Sequence, residues 1–145
     1  MNTSKNGIAL IKKYEGCQLK AYQCPAGIWT IGYGNTFYED KTKVKKGDVI
    51  TQARAEALLL NLLPRFEDIV DTKIIIDINQ NQFDALVSHT WNTGGSDTLF
   101  KLINSGAKPE SIKTWFETKY TTGGGKVLPG LVKRRKEESD LYFKK

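Results

Sequence analysis

The run Glu15-Gly16-Cys17-Gln18-Leu19-Lys20-Ala21-Tyr22-Gln23-Cys24-Pro25-Ala26-Gly27-Ile28-Trp29-Thr30-Ile31-Gly32-Tyr33-Gly34 holds the change of period that decides the fold. Just upstream, Ile8, Ile11 and Tyr14 or Glu15 recur every three or four residues behind the N-cap candidate Ser4. That spacing predicts a helix ending near residue 14, with Gly16 as its stop. Within the run, residues 19–24 and 28–33 are short β-prone stretches separated by Pro25, Ala26 and Gly27, which predicts a β-hairpin.

Downstream, the polar residues 38–47 read as a loop or an irregular third strand. From Thr51 onward the period is helical, beginning with a long helix over about residues 51–70. Asn79 with Gln82 has the form of a capping box, and Phe83, Leu86, Val87, Thr90 and Trp91 follow at helical spacing, which predicts a buried central helix. Shorter helices are expected over about 97–104 and 109–118, the second opened by Pro109. Residues 121–126, with three consecutive glycines, read as a flexible loop before a last helix over about 129–142. The expected architecture is α+β: one domain over residues 1–145, with a small β-hairpin lobe at about 16–50 and a larger helical lobe from 1–15 and 51–145. The long helix joins the lobes, and a cleft between them is a usual place for a ligand.

The 145 residues include 22 Lys and Arg against 16 Asp and Glu, a net charge of +6, so acidic partners are favoured without a choice among nucleic acid, anionic lipid and a polyanionic wall. The 39% apolar and 26% charged content matches ordinary globular usage and excludes a disordered, collagen-like or coiled-coil chain. No stretch approaches the roughly 18 apolar residues of a membrane span, and residues 1–13 do not have the pattern of a cleavable signal peptide. Cys17 and Cys24, without a second pair or a histidine cluster, indicate neither a zinc site nor a disulfide framework.

Glu15 ends a helix, where the negative pole of the backbone dipole favours the protonated carboxyl. A protonated Glu is a candidate general acid, a role worth roughly 10²- to 10⁴-fold in rate. The sequence from Glu15 to Gly34 resembles the phage-type lysozymes, the T-even bacteriophage lysozyme and lambdoid endolysin family of glycoside hydrolases. In that family a Glu ends the first helix, an Asp follows nine residues later on the hairpin, and a Thr six after that; here these positions are Glu15, Cys24 and Thr30. Asn81-Gln82-Phe83-Asp84-Ala85-Leu86-Val87-Ser88 with Asn92-Thr93-Gly94 is similar to the family's central helix. The segment Gly125-Lys126-Val127-Leu128-Pro129-Gly130-Leu131-Val132, with Arg134, Arg135 and Glu138, resembles its C-terminal part. Two positions depart from the pattern: Cys24 stands where an Asp is usual, and Asn35 where a His usually follows the Gly-x-Gly turn.

The resemblance implies hydrolysis of the β-1,4 bond between N-acetylmuramic acid and N-acetylglucosamine in bacterial peptidoglycan, without metal or cofactor, by an inverting route. Glu15 would be the acid, Cys24 would take the base's place, and Thr30 would help hold the water. Trp29, Tyr33, Arg134 and Arg135 are the candidate substrate-binding residues, an arginine pairing with Glu15 or lying in a surface ion pair. A raised Glu at about 6 and a thiol at about 8.5 would leave only roughly 0.003 of molecules at pH 7 with both acid and thiolate. Three alternatives stay open: the thiol's pKa is lowered, the neutral thiol orients the water, or the thiolate attacks the sugar, which is ranked last because a carbon–sulfur glycosidic bond resists hydrolysis. His89 is expected to be a packed imidazole, and Trp91 and Trp115 core residues.

The expected partner is peptidoglycan, with no nucleic acid, no stable membrane association, a monomeric state and a holin for export if a phage encodes the chain. It would be made in the host bacterial cytoplasm and act on the wall after release. The competing readings are a catalytically idle wall-binding homologue and a basic nucleic-acid-binding domain.

Overall fold

A computed structural model describes residues 1–145. In chain order it contains α1 (Lys5–Glu15), β1 (Gln18–Gln23), β2 (Trp29–Gly32), α2 (Gln52–Lys73), α3 (Gln80–Thr93), α4 (Asp97–Asn104), α5 (Pro109–Thr118), β3 (Thr122–Gly123), β4 (Lys126–Val127) and α6 (Pro129–Tyr142). The fold is therefore α+β, with a small hairpin lobe, a larger helical lobe and a long helix shared by both. One compact unit comprises residues 11–65 and the other residues 1–10 with 66–145, so the divisions fall inside α1 and α2. No helix is long and apolar enough to cross a membrane.

The unit of residues 11–65 is built on the β1–β2 hairpin. Cys24 O accepts from Gly27 N at 2.8 Å and Cys24 N donates to Ile28 O at 3.0 Å, closing a turn in which Gly27 has φ +79°. Proline second in the turn and glycine at the left-handed position are what this three-residue hairpin loop requires. The loop sets Tyr22 opposite Thr30 and Gln23 opposite Trp29. Ala21, Ile31, Val44 and Leu58 form the core, covered by Trp29, Tyr38 and Ile50. The stretch expected to be a loop or third strand is irregular: Lys20 bridges to Val49 and Phe37 to Lys43, and Tyr38 Oη donates to Asp48 Oδ2 at 2.7 Å.

In the other unit α3 packs on α6, α6 on α5 and α5 on α4. The Asn79–Gln82 capping box forms in both directions, and Phe83, Ala85, Leu86 and Val87 are fully buried. Ser4 opens α1 with its carbonyl, which accepts from Ile8 N at 3.0 Å, while its amide and hydroxyl both donate to Asp84 on α3. Gly7 makes that approach possible, because a methyl group there would meet Asp84 Cβ at 2.9 Å. Residues 121–126 are a tight β3–β4 hairpin and not the flexible loop expected from three glycines. Gly124 and Gly125 have φ of +59° and +79°, the two positive angles that a two-residue hairpin turn demands.

A polar cluster lies inside this helical packing. Glu138 accepts from Arg134 Nε at 3.1 Å, from Arg135 Nη1 and from Ser88 Oγ at 2.6 Å. Arg134 Nη2 also donates to Ser88 O at 3.1 Å, Arg135 Nε to Tyr120 O at 3.1 Å, and Arg135 Nη2 to Asn92 Oδ1. His89, 1% exposed, is walled by Trp115, Phe116 and Tyr120 with ring centroids at 5.5 Å. Burial first, and then the charges of Arg135 and Arg134, pull its pKa down to about 3.

Two stability predictions follow from these buried groups. Glu138→Ala leaves two buried guanidinium groups without their carboxylate and is expected to cost about 3–5 kcal/mol, read as a lower urea midpoint at pH 7. For His89 the unfolded chain takes up a proton near pH 6.5, while the folded chain refuses it until about pH 3. Stability is therefore lost as pH falls through that window, at about 1.4 kcal/mol per unit. His89→Leu should remove the slope, opening a difference of roughly 2 kcal/mol between pH 6.5 and 5 in paired urea titrations.

Candidate active site

Glu15 is the last residue of α1, and the chain turns there because Gly16 takes φ +65° while its amide still bonds to Lys12 O at 3.0 Å. The Glu15 side chain is half-buried and its Oε2 lies beside Gly34, where a methyl group would stand 3.4 Å away. Gly34 also has φ +93°, so its lack of a side chain serves both the backbone and the space around the carboxylate.

Cys24 follows directly on β1 and heads the hairpin turn. Its thiol is pulled below the ordinary range, first by the backbone amides of Ile28 and Ala26 and then by the Thr30 hydroxyl, against an opposing contribution from burial. The turn thus aims two N–H groups at sulfur, an arrangement that stabilises thiolate. Of the three alternatives open from sequence, a lowered thiol pKa is the one whose direction the surroundings of Cys24 favour. Thr30 is 4% exposed, and its Oγ1 lies 3.0 Å from Ile28 O as well as within reach of the sulfur. One hydroxyl proton serves only one of these acceptors at a time, and the oxygen lone pairs remain able to accept.

Tyr22 stands opposite Thr30 in the sheet and feels the charges of both the carboxylate and the thiol. Its phenol is 39% exposed and its pKa is raised, first by partial burial and then by the charges of Glu15 and Cys24. Glu15 and Cys24 therefore both lie near this phenol. Sequence reasoning used Tyr22 only as part of the resemblance. Its place two residues before Cys24, on the same strand face as Thr30, is the signal that could have singled it out.

The candidate substrate-binding residues divide. Trp29 is half-buried and packs on the hairpin core, leaving part of its ring exposed. Tyr33 is only 6% exposed and its hydroxyl accepts from Gln52 Nε2 at 3.0 Å, so its ring is a packing group and not a free stacking surface. Arg134 and Arg135 are 3% and 0% exposed, which corrects the surface ion pair: both brace Glu138 in the helical unit. Asn35, at the usual histidine position, is 3% exposed, with Nδ2 3.4 Å from Leu58 O on α2. His89 is the packed imidazole its helix predicts, Trp91 stacks on Phe66 at 4.9 Å, and Trp115 lies against His89. No group of three or more His, Cys, Asp and Glu side chains is arranged to hold a metal ion.

The phage lysozyme family profile matches residues 12–138. The endolysin of Acyrthosiphon pisum secondary endosymbiont phage 1 is 43% identical, with 98% of each chain covered. The endolysin of Bacillus phage B103 is 39% identical over 99% of this chain, which spans about half of that relative, 54%. Among solved structures, the muramidase domain of SpmX from Asticaccaulis excentricus superposes with a TM-score of 0.86 at 29% identity, covering 99% of both chains. A family match over most of the chain, a relative covered along 98% of its length and a shared fold agree with one another, and the chain belongs to the phage lysozyme family, whose members hydrolyse bacterial peptidoglycan.

Proposed function

We propose that this lysozyme hydrolyses the β-1,4 bond between N-acetylmuramic acid and N-acetylglucosamine by an inverting mechanism, as a single two-lobed domain acting alone on the wall. The observation that carries the reading is the grouping of Glu15, Cys24 and Thr30 about the hairpin, with the Tyr22 phenol near both the carboxyl and the thiol. Glu15 gives its proton to the glycosidic oxygen as the bond to the anomeric carbon breaks. A water adds to that carbon from the opposite face and passes a proton to the Cys24 thiolate, while Thr30 Oγ1 accepts a hydrogen bond from the same water. The depressed thiol pKa raises the thiolate fraction available as base at neutral pH, which supports Cys24 in a position where a carboxylate is usual. The exposed edge of Trp29 is the aromatic surface offered to a sugar ring. Where the gene belongs to a phage, a holin would open the way to the wall.

Glu15→Gln tests the acid. The amide keeps the shape but has no proton to give, so clearing of a peptidoglycan suspension should fall at least about 100-fold with the fold intact. A residual rate above about a tenth of the original would contradict the assignment.

The thiol is tested separately. Cys24→Asp should stay active because a carboxylate is ionised at neutral pH, whereas Cys24→Ala should lose most clearing activity. In a Cys17→Ala background, iodoacetamide should inactivate the enzyme with a pH midpoint below that of a free cysteine peptide, since the folded pKa is lowered. Full clearing by Cys24→Ala would remove the thiol from the mechanism and leave Glu15 with Thr30.

A further inference from the structure

The last residue of a helix is its least secured, because the carbonyls of the final turn have no partner within the helix. Glu15 occupies that place in α1, where the final bond runs from Gly16 N to Lys12 O at 3.0 Å. Two side-chain links join this turn to the start of α2, both within the unit of residues 11–65.

The first link begins on Lys12, three residues before Glu15. Lys12 Nζ donates to Glu56 Oε1 at 2.7 Å and lies 5.8 Å from the centroid of the Tyr33 ring. Glu56 raises the pKa of Lys12, chiefly through that hydrogen bond and against burial, so the ammonium stays charged throughout the neutral range.

The second link begins on Cys17, two residues after Glu15. Its Sγ, a weak donor, lies 3.6 Å from Gln52 Oε1, and Gln52 Nε2 donates to Tyr33 Oη at 3.0 Å. Tyr33 immediately precedes Gly34, the residue beside Glu15 Oε2. Gln52 and Glu56 are four residues apart on α2 and so share a face. Between them in sequence, buried Ala55 meets the end of the hairpin, where a methyl group on Gly32 would stand 3.7 Å from Ala55 Cα. The first turn of α2 is thus seated on β2, and residues before, after and beside Glu15 are fastened to it.

The side chains of the Lys12–Glu56 pair are 32% and 46% exposed, and an ion pair so open to water adds little to folding stability. Placement is another matter, since a misplacement of about 1 Å at a reacting group costs roughly 100-fold in rate. We propose that Lys12, Gln52 and Glu56 are positioning residues for Glu15, holding the last turn of α1 against the first turn of α2 so that the carboxyl meets the glycosidic oxygen. The inference rests on Glu15 as the acid.

Glu56→Gln keeps the shape of the side chain and removes its charge. On a soluble glycan fragment of peptidoglycan, kcat should fall about tenfold with KM within about twofold and the melting temperature unchanged. Lys12→Gln opens the same link from α1 and should match it, and the two changes together should cost no more than either alone. Lys12→Arg keeps the pair and should hold kcat within about threefold of the original. Glu39→Gln breaks the Arg54–Glu39 pair, which is 3.0 Å long, similarly exposed and made from the same helix but not to α1, and should leave kcat unchanged. If Glu56→Gln melts early, Gln52→Leu opens the other link and should itself lower kcat by about threefold or more.

An unchanged kcat in Glu56→Gln and Lys12→Gln, a change confined to KM, or an equal loss in Glu39→Gln would overturn the proposal. So would a further fall when Glu56→Gln is added to the Glu15→Gln protein, where no acid is left to position. A Glu15→Gln protein that clears peptidoglycan at the full rate would instead refute the acid itself, and the positioning role with it.

Discussion

Tyr22 and Thr30 face one another across the hairpin, and because side chains alternate along a strand this register sends Ala21 and Ile31 to the opposite face, into the core. A slip of one residue would turn the exposed phenol inward and bring apolar side chains out of the core. The Pro25-Ala26-Gly27 turn prevents it, since only one pairing satisfies both the turn and the burial. Turn chemistry therefore determines which face carries reactive groups, and the same turn lends two amides to the Cys24 sulfur.

The helical unit solves a different problem with charge. Two arginines and one glutamate are buried together, and the cost of stripping water from three ions means that such a cluster adds little net stability over a well-packed apolar one. Its directional bonds to Ser88, Asn92 and the Tyr120 carbonyl instead tie α6 to α3 and to the approach to β3 in one register. Leucines in the same space would tolerate several neighbouring positions. The depressed pKa of His89 is partly a by-product, since these guanidinium groups add to the desolvation that keeps its imidazole neutral.

Elements written in local pattern were legible in the sequence: the Gly16 stop, the hairpin around Pro25, the capping box at Asn79 and the start of α5 at Pro109. Burial was not legible where a residue's type says nothing about what surrounds it. Tyr33, Arg134 and Arg135 look like surface contacts by chemistry, yet packing from distant segments buries them. Three glycines suggest mobility, but two of them supply the angles of a fixed turn. Glu15, Cys24 and Thr30 were named by resemblance, while the amides aimed at sulfur and the phenol beside it required coordinates.

Glu15, Cys24 and Thr30 fall within sixteen consecutive residues, and the unit that holds them is one uninterrupted stretch, residues 11–65. The helical unit must instead bring residues 1–10 together with residues 66–145. Short closures carry a small entropic cost, and hairpins form in roughly 1–10 μs, far faster than a ribosome adds the next residue. During synthesis, then, the hairpin bearing Cys24 and Thr30 has its strand pairing and its apolar core in hand once residue 65 has emerged. The first ten residues wait for α3, because Asp84 is the anchor that Ser4 needs.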